Sequence, residues 1–523
     1  MSKKLHFQGL IALFVTFCSL SQASAQFTLS GQLRTRTELR DGLGTLNLKG
    51  AKPAFFTSQR ARLAFGYKWD RLLFNFSVQD VRVWGQDASS ISNADGSRFM
   101  VHEAWGEVTL ANSADTTIKF KLVENLSFKI GRQTLIYDDV RLLGDLDWLQ
   151  QARRHDAALL KAQHKGWQVD LGAGFNQNTD AFGVTGTNYV AANVPAYTTD
   201  TKGNLVAVPG GFIPTNGKGG SLRLANNPST NGMNQMYKSM QFLYVSRKFG
   251  QTKVSGLFFK DDFSKYRSDS IRNISGADTG YVYGRRYDQT GVNSRITYGL
   301  MFNKTIGNAS GFKTNITAAA YWQSGKNKDG KSLNASHYTV ALTFQRGKFS
   351  FGPGWDYLSG NEAVGGGAGA ASTSATDNRF DPLYGTPHKF WGYMDYFYVG
   401  TGSAVGGLNN LYFKTKYTAK DFFITLDYHH FSLAKSQYLK GSDGKASTRF
   451  SNGMGSEVDL IINYNLSKFT NLELGYCFMK ATNTLEYAKL GSVDKTDQSP
   501  QWAYLMINIR PDFFFAKPVA IKQ

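Results

Sequence analysis

The chain has 523 residues, 59 Lys and Arg against 39 Asp and Glu, two Cys, 11 Pro, 54 Gly and 14% aromatic residues. With so few prolines and no long Ser/Pro or charged run, nothing marks linkers between the three or four globular units this length would otherwise suggest. So many rings at a mean hydropathy of −0.33 fit a protein whose rings face lipid while its polar groups face water.

The first segment reads as a secretory signal: Lys3 and Lys4, an apolar run from Leu10 to Leu20, then Ala23-Ser24-Ala25 as a cleavage site. The expected division is therefore a signal peptide at 1–25 and one barrel domain at 26–523. Cys18 leaves with the signal and Cys477 stays alone, so neither an internal disulfide nor a cysteine zinc site is available. The mature chain carries 57 Lys and Arg against 39 Asp and Glu, a net charge of +18. Secretion excludes nucleic acid as a partner. An anionic membrane surface or an anionic solute remains.

No apolar run long enough for a spanning helix follows the signal. Period-two alternation recurs instead. Phe27, Leu29, Gly31 and Leu33 oppose Thr28, Ser30, Gln32 and Arg34. Trp167, Val169, Leu171 and Ala173 oppose Gln168, Asp170, Gly172 and Gly174. Lipid outside and water inside produce this pattern. Strands are predicted near 27–39, 59–69, 72–84, 99–110, 126–135, 156–163, 167–176, 235–248, 252–261, 286–304, 312–323, 335–346, 349–359, 409–418, 421–431, 455–466, 471–480 and 500–510. The fold class is all-β: a transmembrane up-and-down antiparallel β-barrel of about eighteen strands.

Connections alternate in length. Short turns fall at Trp69-Asp70-Arg71, His164-Lys165-Gly166, Phe249-Gly250-Gln251, Arg346-Gly347-Lys348, Ala419-Lys420 and Ser467 to Thr470. Long loops fall between them, the longest at 177–234 and 360–408. Short periplasmic turns and long outer loops are expected of such barrels. The connection at 111–125 breaks this parity and suggests an extra hairpin. The Gly/Ala/Ser/Thr run from Gly365 to Ser374 reads as a mobile surface loop, or as a loop that enters and gates the lumen.

Basic side chains recur on the polar face. Arg34, Arg36, Arg60, Arg62, Arg295, Lys414 and Lys416 point inward by alternation. A charge deep on the lipid face costs about 2–4 kcal/mol, which favours the same placement. Arg82 and Arg132 fall on the apolar face by parity. A bulge near Asp80 and another at Gly131 are invoked to turn them inward. Arginine suits carboxylates through its planar fork, and a lumen lined by such groups would prefer anions. The rival reading pairs these arginines with Glu38, Glu103, Glu107, Asp170, Glu457 and Asp459 in ladders that touch no solute. Catalytic signals are weak. His429 and His430 fall on opposite faces of one strand, and no HExxH, GxSxG or phosphate loop is present. Asp138, Asp139, Asp145 and Asp147 read as a loop paired to Arg141, Arg153 and Arg154 rather than a calcium site. No catalysis, cofactor or metal is expected.

The stretch from Gly131 to Asp156, GRQTLIYDDVRLLGDLDWLQQARRHD, resembles the alginate-export family of outer-membrane barrels. The matching residues are Gly131, Arg132, Gln133, Tyr137, Arg141, Leu142, Gly144, Asp147, Trp148, Ala152, Arg153 and Asp156. Gln59 to Leu63, Gln79 to Gly85 and His102 to Trp105 resemble that family's early strands. His155 stands where the family usually has Phe, and Asp138 where Gly is common. The resemblance implies an eighteen-stranded barrel, an electropositive constriction with Arg132, Arg141 and Arg153 as candidates, and passive export of an anionic polysaccharide. The expected location is the bacterial outer membrane. Expected partners are outer-membrane lipid, an anionic polysaccharide or sugar-like solute, and periplasmic export proteins. Rival readings are a general or nutrient-uptake porin with anion preference, an outer-membrane enzyme, and a plugged structural barrel. Phe515 is expected to serve as the aromatic read during barrel assembly.

Overall fold

The computed structural model describes residues 26–86, 99–177, 194–223, 237–275, 278–308, 311–367, 370–398 and 404–513. The expected signal segment and Phe515 lie outside them. One antiparallel sheet holds eighteen strands. They are β1 (Gln26–Asp41), β2 (Ala54–Trp69), β3 (Leu72–Val83), β4 (Phe99–Asn112), β5 (Asn125–Gln133) and β6 (His155–His164). β7 (Trp167–Phe175), β8 (Ser239–Phe249), β9 (Thr252–Ser264), β10 (Val292–Gly307), β11 (Phe312–Lys326) and β12 (Ser332–Arg346) follow. The last are β13 (Phe349–Leu358), β14 (Leu408–Thr418), β15 (Phe422–Ser432), β16 (Gly453–Ser467), β17 (Thr470–Ala481) and β18 (Gln501–Ile509).

Each strand pairs with the next, and β18 returns to β1 with Leu33 opposite Ile509. The seam continues past β18, where Gly31 N donates to Pro511 O at 2.9 Å and Phe513 N to Leu29 O at 3.0 Å. A closed sheet leaves no backbone edge facing lipid, which is why strands can span the hydrocarbon. Every predicted strand is present. The expected extra hairpin is not: residues 113–124 form turns without a strand.

Local chemistry sets the short turns. Lys165 (φ 46°) and Gly166 (φ 79°) both lie in the left-handed region, as the favoured two-residue hairpin turn requires. By the barrel rule these turns mark the periplasmic end.

Two long loops turn into the barrel rather than away from it. The first is 134–154, between β5 and β6. The second is 359–407, between β13 and β14. They pair with each other: Tyr384 N donates to Leu142 O at 2.9 Å, Gly144 N to Tyr384 O at 3.0 Å, and Thr386 N to Val140 O at 2.8 Å. Seven of the ten described non-glycine residues with positive φ lie in these loops, at Asp138, Val140, Leu146, Ala152, Leu383, Asp395 and Tyr398. Such backbone persists only where its surroundings over-determine it. Part of the Gly365 to Ser374 run is described, and there Ala371–Ser372 pairs with Ala363–Val364.

The loops occlude the lumen at one level. Each of the eighteen strands carries a residue no more than 2% exposed, among them Arg60, Gln133, Thr297, His337, Asn410 and Trp502. Leu300 on the outer face is 61% exposed beside inward Met301 at 2%. The molecule is thus apolar where it meets lipid and closely packed across its centre.

Candidate functional site

The site begins with period-two geometry. On β1 and β2 the register sets Arg34 opposite Arg60 and Gln32 opposite Arg62, all on the inner face. Four guanidiniums, Arg34, Arg36, Arg60 and Arg62, therefore share one wall. Unneutralised, such a cluster would be costly to bury. The 134–154 loop neutralises it. Asp147 accepts from Arg60 through both oxygens, at 2.9 and 3.0 Å, and from Arg62 at 3.2 Å. Arg34 lies 3.7 Å from the same carboxylate. Burial alone would raise the Asp147 pKa, but the hydrogen bonds and charge of Arg60, with the charges of Arg62 and Arg34, hold it below its ordinary value. Arg34 also donates to the backbone oxygens of Asp147 and Leu149 at 2.8 and 3.0 Å. Arg36 is bound to Glu38 at 3.0 Å and stacks over Trp148 at 4.4 Å.

The inner wall at β16, three strands from β1 around the closed sheet, is acidic, and the 359–407 loop serves it with backbone amides. Met394 N donates to Glu457 at 2.8 Å and Tyr393 N to Asp459 at 3.3 Å. Gly392 sits against this wall at φ 83°, where a Cβ would lie 2.6 Å from the Glu457 carboxylate. The two loops also meet through rings. Trp148 stacks on His388 at 4.6 Å, and His388 on Tyr393 at 4.8 Å.

The remaining predicted residues divide. Arg141 is buried between Asp139 (3.2 Å) and Asp356 (2.7 Å). Arg153 is buried and donates to Gly385 O, and burial pulls its pKa down to about 10. Arg295 is held by Asp261 at 2.5 Å and Asp381 at 3.1 Å. Lys414 pairs with Asp427 at 2.9 Å. Lys416 is exposed to the lumen and lies over the Phe423 ring at 4.0 Å.

Arg82 and Arg132 are corrected: both point outward. β3 runs in unbroken register with β2, so Arg82 sits opposite Gln59 on the outer face and forks onto Asp80 at 2.6 and 2.8 Å. The bulge there lies on the partner strand β4, beside Ser77 and Val78. Arg132 faces Asp156 across the β5–β6 pair and binds it at 2.8 and 2.9 Å. Gly131 is no bulge. Its φ is 125°, and a Cβ would stand 2.2 Å from Ala104 O, so glycine serves a close approach to β4.

The acidic loop residues separate instead of gathering. Asp138 goes to Tyr244, Lys253 and Ser255 at 2.7, 2.9 and 2.7 Å, Asp139 to Arg141, and Asp147 to the arginine wall. Asp138 has φ 52°, in the left-handed region that favours glycine. Among the described residues no His, Cys, Asp and Glu group is placed to hold a metal ion. His429 is buried on the inner face against Asn410 at 3.0 Å, whereas His430 meets Ser456 on the outer one.

Sequence reasoning missed three further inward lysines, Lys248, Lys253 and Lys313, of which Lys253 is taken by Asp138. Lys248 and Lys253 face each other on β8 and β9, and Lys313 on β11 shares the inner face with Lys416 by register. All lie toward the short-turn end. Strand parity carried this signal, but attention went to Arg-bearing motifs.

A family model described as alginate export matches residues 25–174. No curated protein matches the sequence. Among solved structures, Acinetobacter baumannii OccAB1 is 12% identical at a TM-score of 0.53, over 94% of this chain and 100% of that one. Pseudomonas aeruginosa OccK1 (OpdK) is 8% identical at 0.50, over 93% and 99%. Pseudomonas aeruginosa OpdK with vanillate is 9% identical at 0.50, over 93% and 99%. These likenesses show the fold. Over residues 25–174, and on an eighteen-stranded barrel of the bacterial outer membrane, the chain matches the alginate-export family.

Proposed function

We propose that this outer-membrane channel passively exports an anionic polysaccharide, alginate or a related polyuronate. The carrying observation is the inner wall of Arg34, Arg36, Arg60 and Arg62 inside the family-matched segment. Guanidinium forks match carboxylates, and a row of weak contacts lets a polymer bind and move on. Exposed inward lysines at the short-turn end, Lys248 and Lys416, favour entry of an anion from the periplasm. Arg82 and Arg132 drop out of the solute path. Arg141, Arg153 and Arg295 organise the two loops, and the loops must shift for a polymer to pass.

The test is ion selectivity and polyuronate block in planar bilayers, wild type against Lys313→Gln/Lys416→Gln. Anion selectivity, with block weakened several-fold in the variant, is expected. Cation selectivity, or block indifferent to the substitutions, would remove the reading. Two observations favour rivals. The occluded centre suits a plugged structural barrel, which would show no conductance even with residues 378–392 removed. The fold likeness to porins, one of them solved with vanillate, suits uptake of small carboxylates, which would pass without any polymer block.

A further inference from the structure

We propose that Arg60 and Arg62 form a carboxylate-binding socket that Asp147 fills as an internal stand-in for the carboxylate of the solute. This deepens the polyuronate reading and rests on it. Three observations carry it. First, the socket is braced by the wall as well as by the loop, whose Gln150 O accepts from Arg60 at 3.3 Å and whose Gln151 O accepts from Gln79 at 2.9 Å. Gln32 Oε1 accepts from Arg60 at 2.6 and 3.1 Å, and Gln79 Oε1 accepts from Arg62 at 2.8 and 3.0 Å. Each guanidinium therefore keeps a side-chain partner on the wall if the loop leaves. Second, Arg60 grips Asp147 bidentately, the geometry a uronate carboxylate would adopt in the same fork. Third, exposure is asymmetric: the Arg60 side chain is fully buried, while that of Asp147 is 41% exposed. Solvent, and so a competing carboxylate, reaches the occupant from the lumen.

A solute carboxylate entering the socket would displace Asp147 and release the loop segment that also holds Arg34 through its backbone oxygens. Occupancy of the socket and opening of the lumen are then one event. The loop sets a threshold, because only a ligand whose linked carboxylates outcompete a tethered one can open the path.

The experiment is titration of detergent-solubilised full-length protein with an oligogalacturonate, read by tryptophan fluorescence, since Trp148 follows Asp147 directly. A neutral oligosaccharide of equal length is the control. Asp147→Asn, which removes the competing charge at constant shape, is expected to bind the oligouronate at least about tenfold more tightly than wild type, the gain a vacated competitive site gives. Asp147→Glu restores a carboxylate and is expected to return toward wild-type affinity. Arg60→Lys/Arg62→Lys in the Asp147→Asn background should abolish the gain. Equal affinity in wild type and Asp147→Asn overturns the inference and leaves the polyuronate reading standing. No oligouronate binding by either overturns both. A gain that survives the arginine replacements, or that the neutral sugar shows equally, places the effect elsewhere and overturns the inference. Heat-modifiable gel mobility of each variant confirms a folded barrel.

Discussion

Residues with the same side chain have different work here, and burial decides which. Arg295 and Arg132 each fork onto an aspartate. Arg295 is 4% exposed and its partner Asp261 0%, with Tyr384 OH donating to the same carboxylate at 2.8 Å. Removing that arginine strands a buried charge, which costs about 3–5 kcal/mol. The Arg132–Asp156 pair lies on the outer face with its side chains 40% and 50% exposed, and exposed pairs contribute about 0–1 kcal/mol. Arg295→Ala is therefore expected to lower the urea midpoint for loss of folded gel mobility by far more than Arg132→Ala. Equal losses would show that the outward pair is as structural as the inward one. Arg295 is held by the fully buried Asp261, whereas the aspartate on Arg60 is 41% exposed, so solute contact belongs at the Arg60–Arg62 socket and the exposed lysines rather than at Arg295.

Among the elements, the junction of the two inward loops is the weak point of the closed state. Gly385 lies so near Arg141 O that an added Cβ would stand 1.9 Å from it, closer than any relaxation of two backbones allows without separation. Gly385→Ala is expected to part the loops, raising ion conductance several-fold in bilayers while far-ultraviolet circular dichroism keeps the strand signal. Unchanged conductance would mean that the loops close the lumen independently of each other. The opposed charges of the walls explain why both loops are needed. The basic wall takes a side-chain carboxylate from one, and the acidic wall takes backbone amides from the other.

For the whole molecule, the barrel is one surface with two solvents. Val340 and Thr343 lie three residues apart on β12 and face opposite ways, Val340 47% exposed toward lipid and Thr343 toward the lumen opposite Asn315. Val340→Arg is expected to destabilise the barrel by about 2–4 kcal/mol, the cost of a mid-strand cation facing lipid. Thr343→Arg should fold normally, because its side chain meets water. Refolding into vesicles at graded urea distinguishes them, and similar penalties would invert the assigned faces.

All eighteen strands were legible in the sequence because a barrel strand meets lipid on one side only, and that requirement writes itself as a period of two. The short turns were legible for a related reason: residues such as Gly166, Gly250 and Gly347 accept positive φ, and such turns carry their own chemistry. Parity also placed Arg34, Arg36, Arg60, Arg62, Arg295, Lys414 and Lys416 inward correctly. It placed Arg82 and Arg132 outward, and overriding it with bulges led away from the structure. Local charge partners such as Glu38 for Arg36 and Asp139 for Arg141 were within reach of the sequence, but the partner of the Arg60 wall was not, because it comes from a loop more than 80 residues away along the chain, as Asp147 does to Arg60. Alternation says which way a side chain points within its own strand. Which loop folds back to meet it depends on closure of the sheet, and closure brings together walls and loops that share no local pattern. The sequence alone therefore determined the strands, their faces and the membrane they cross. Only the tertiary structure decided which of the inward charges are already taken.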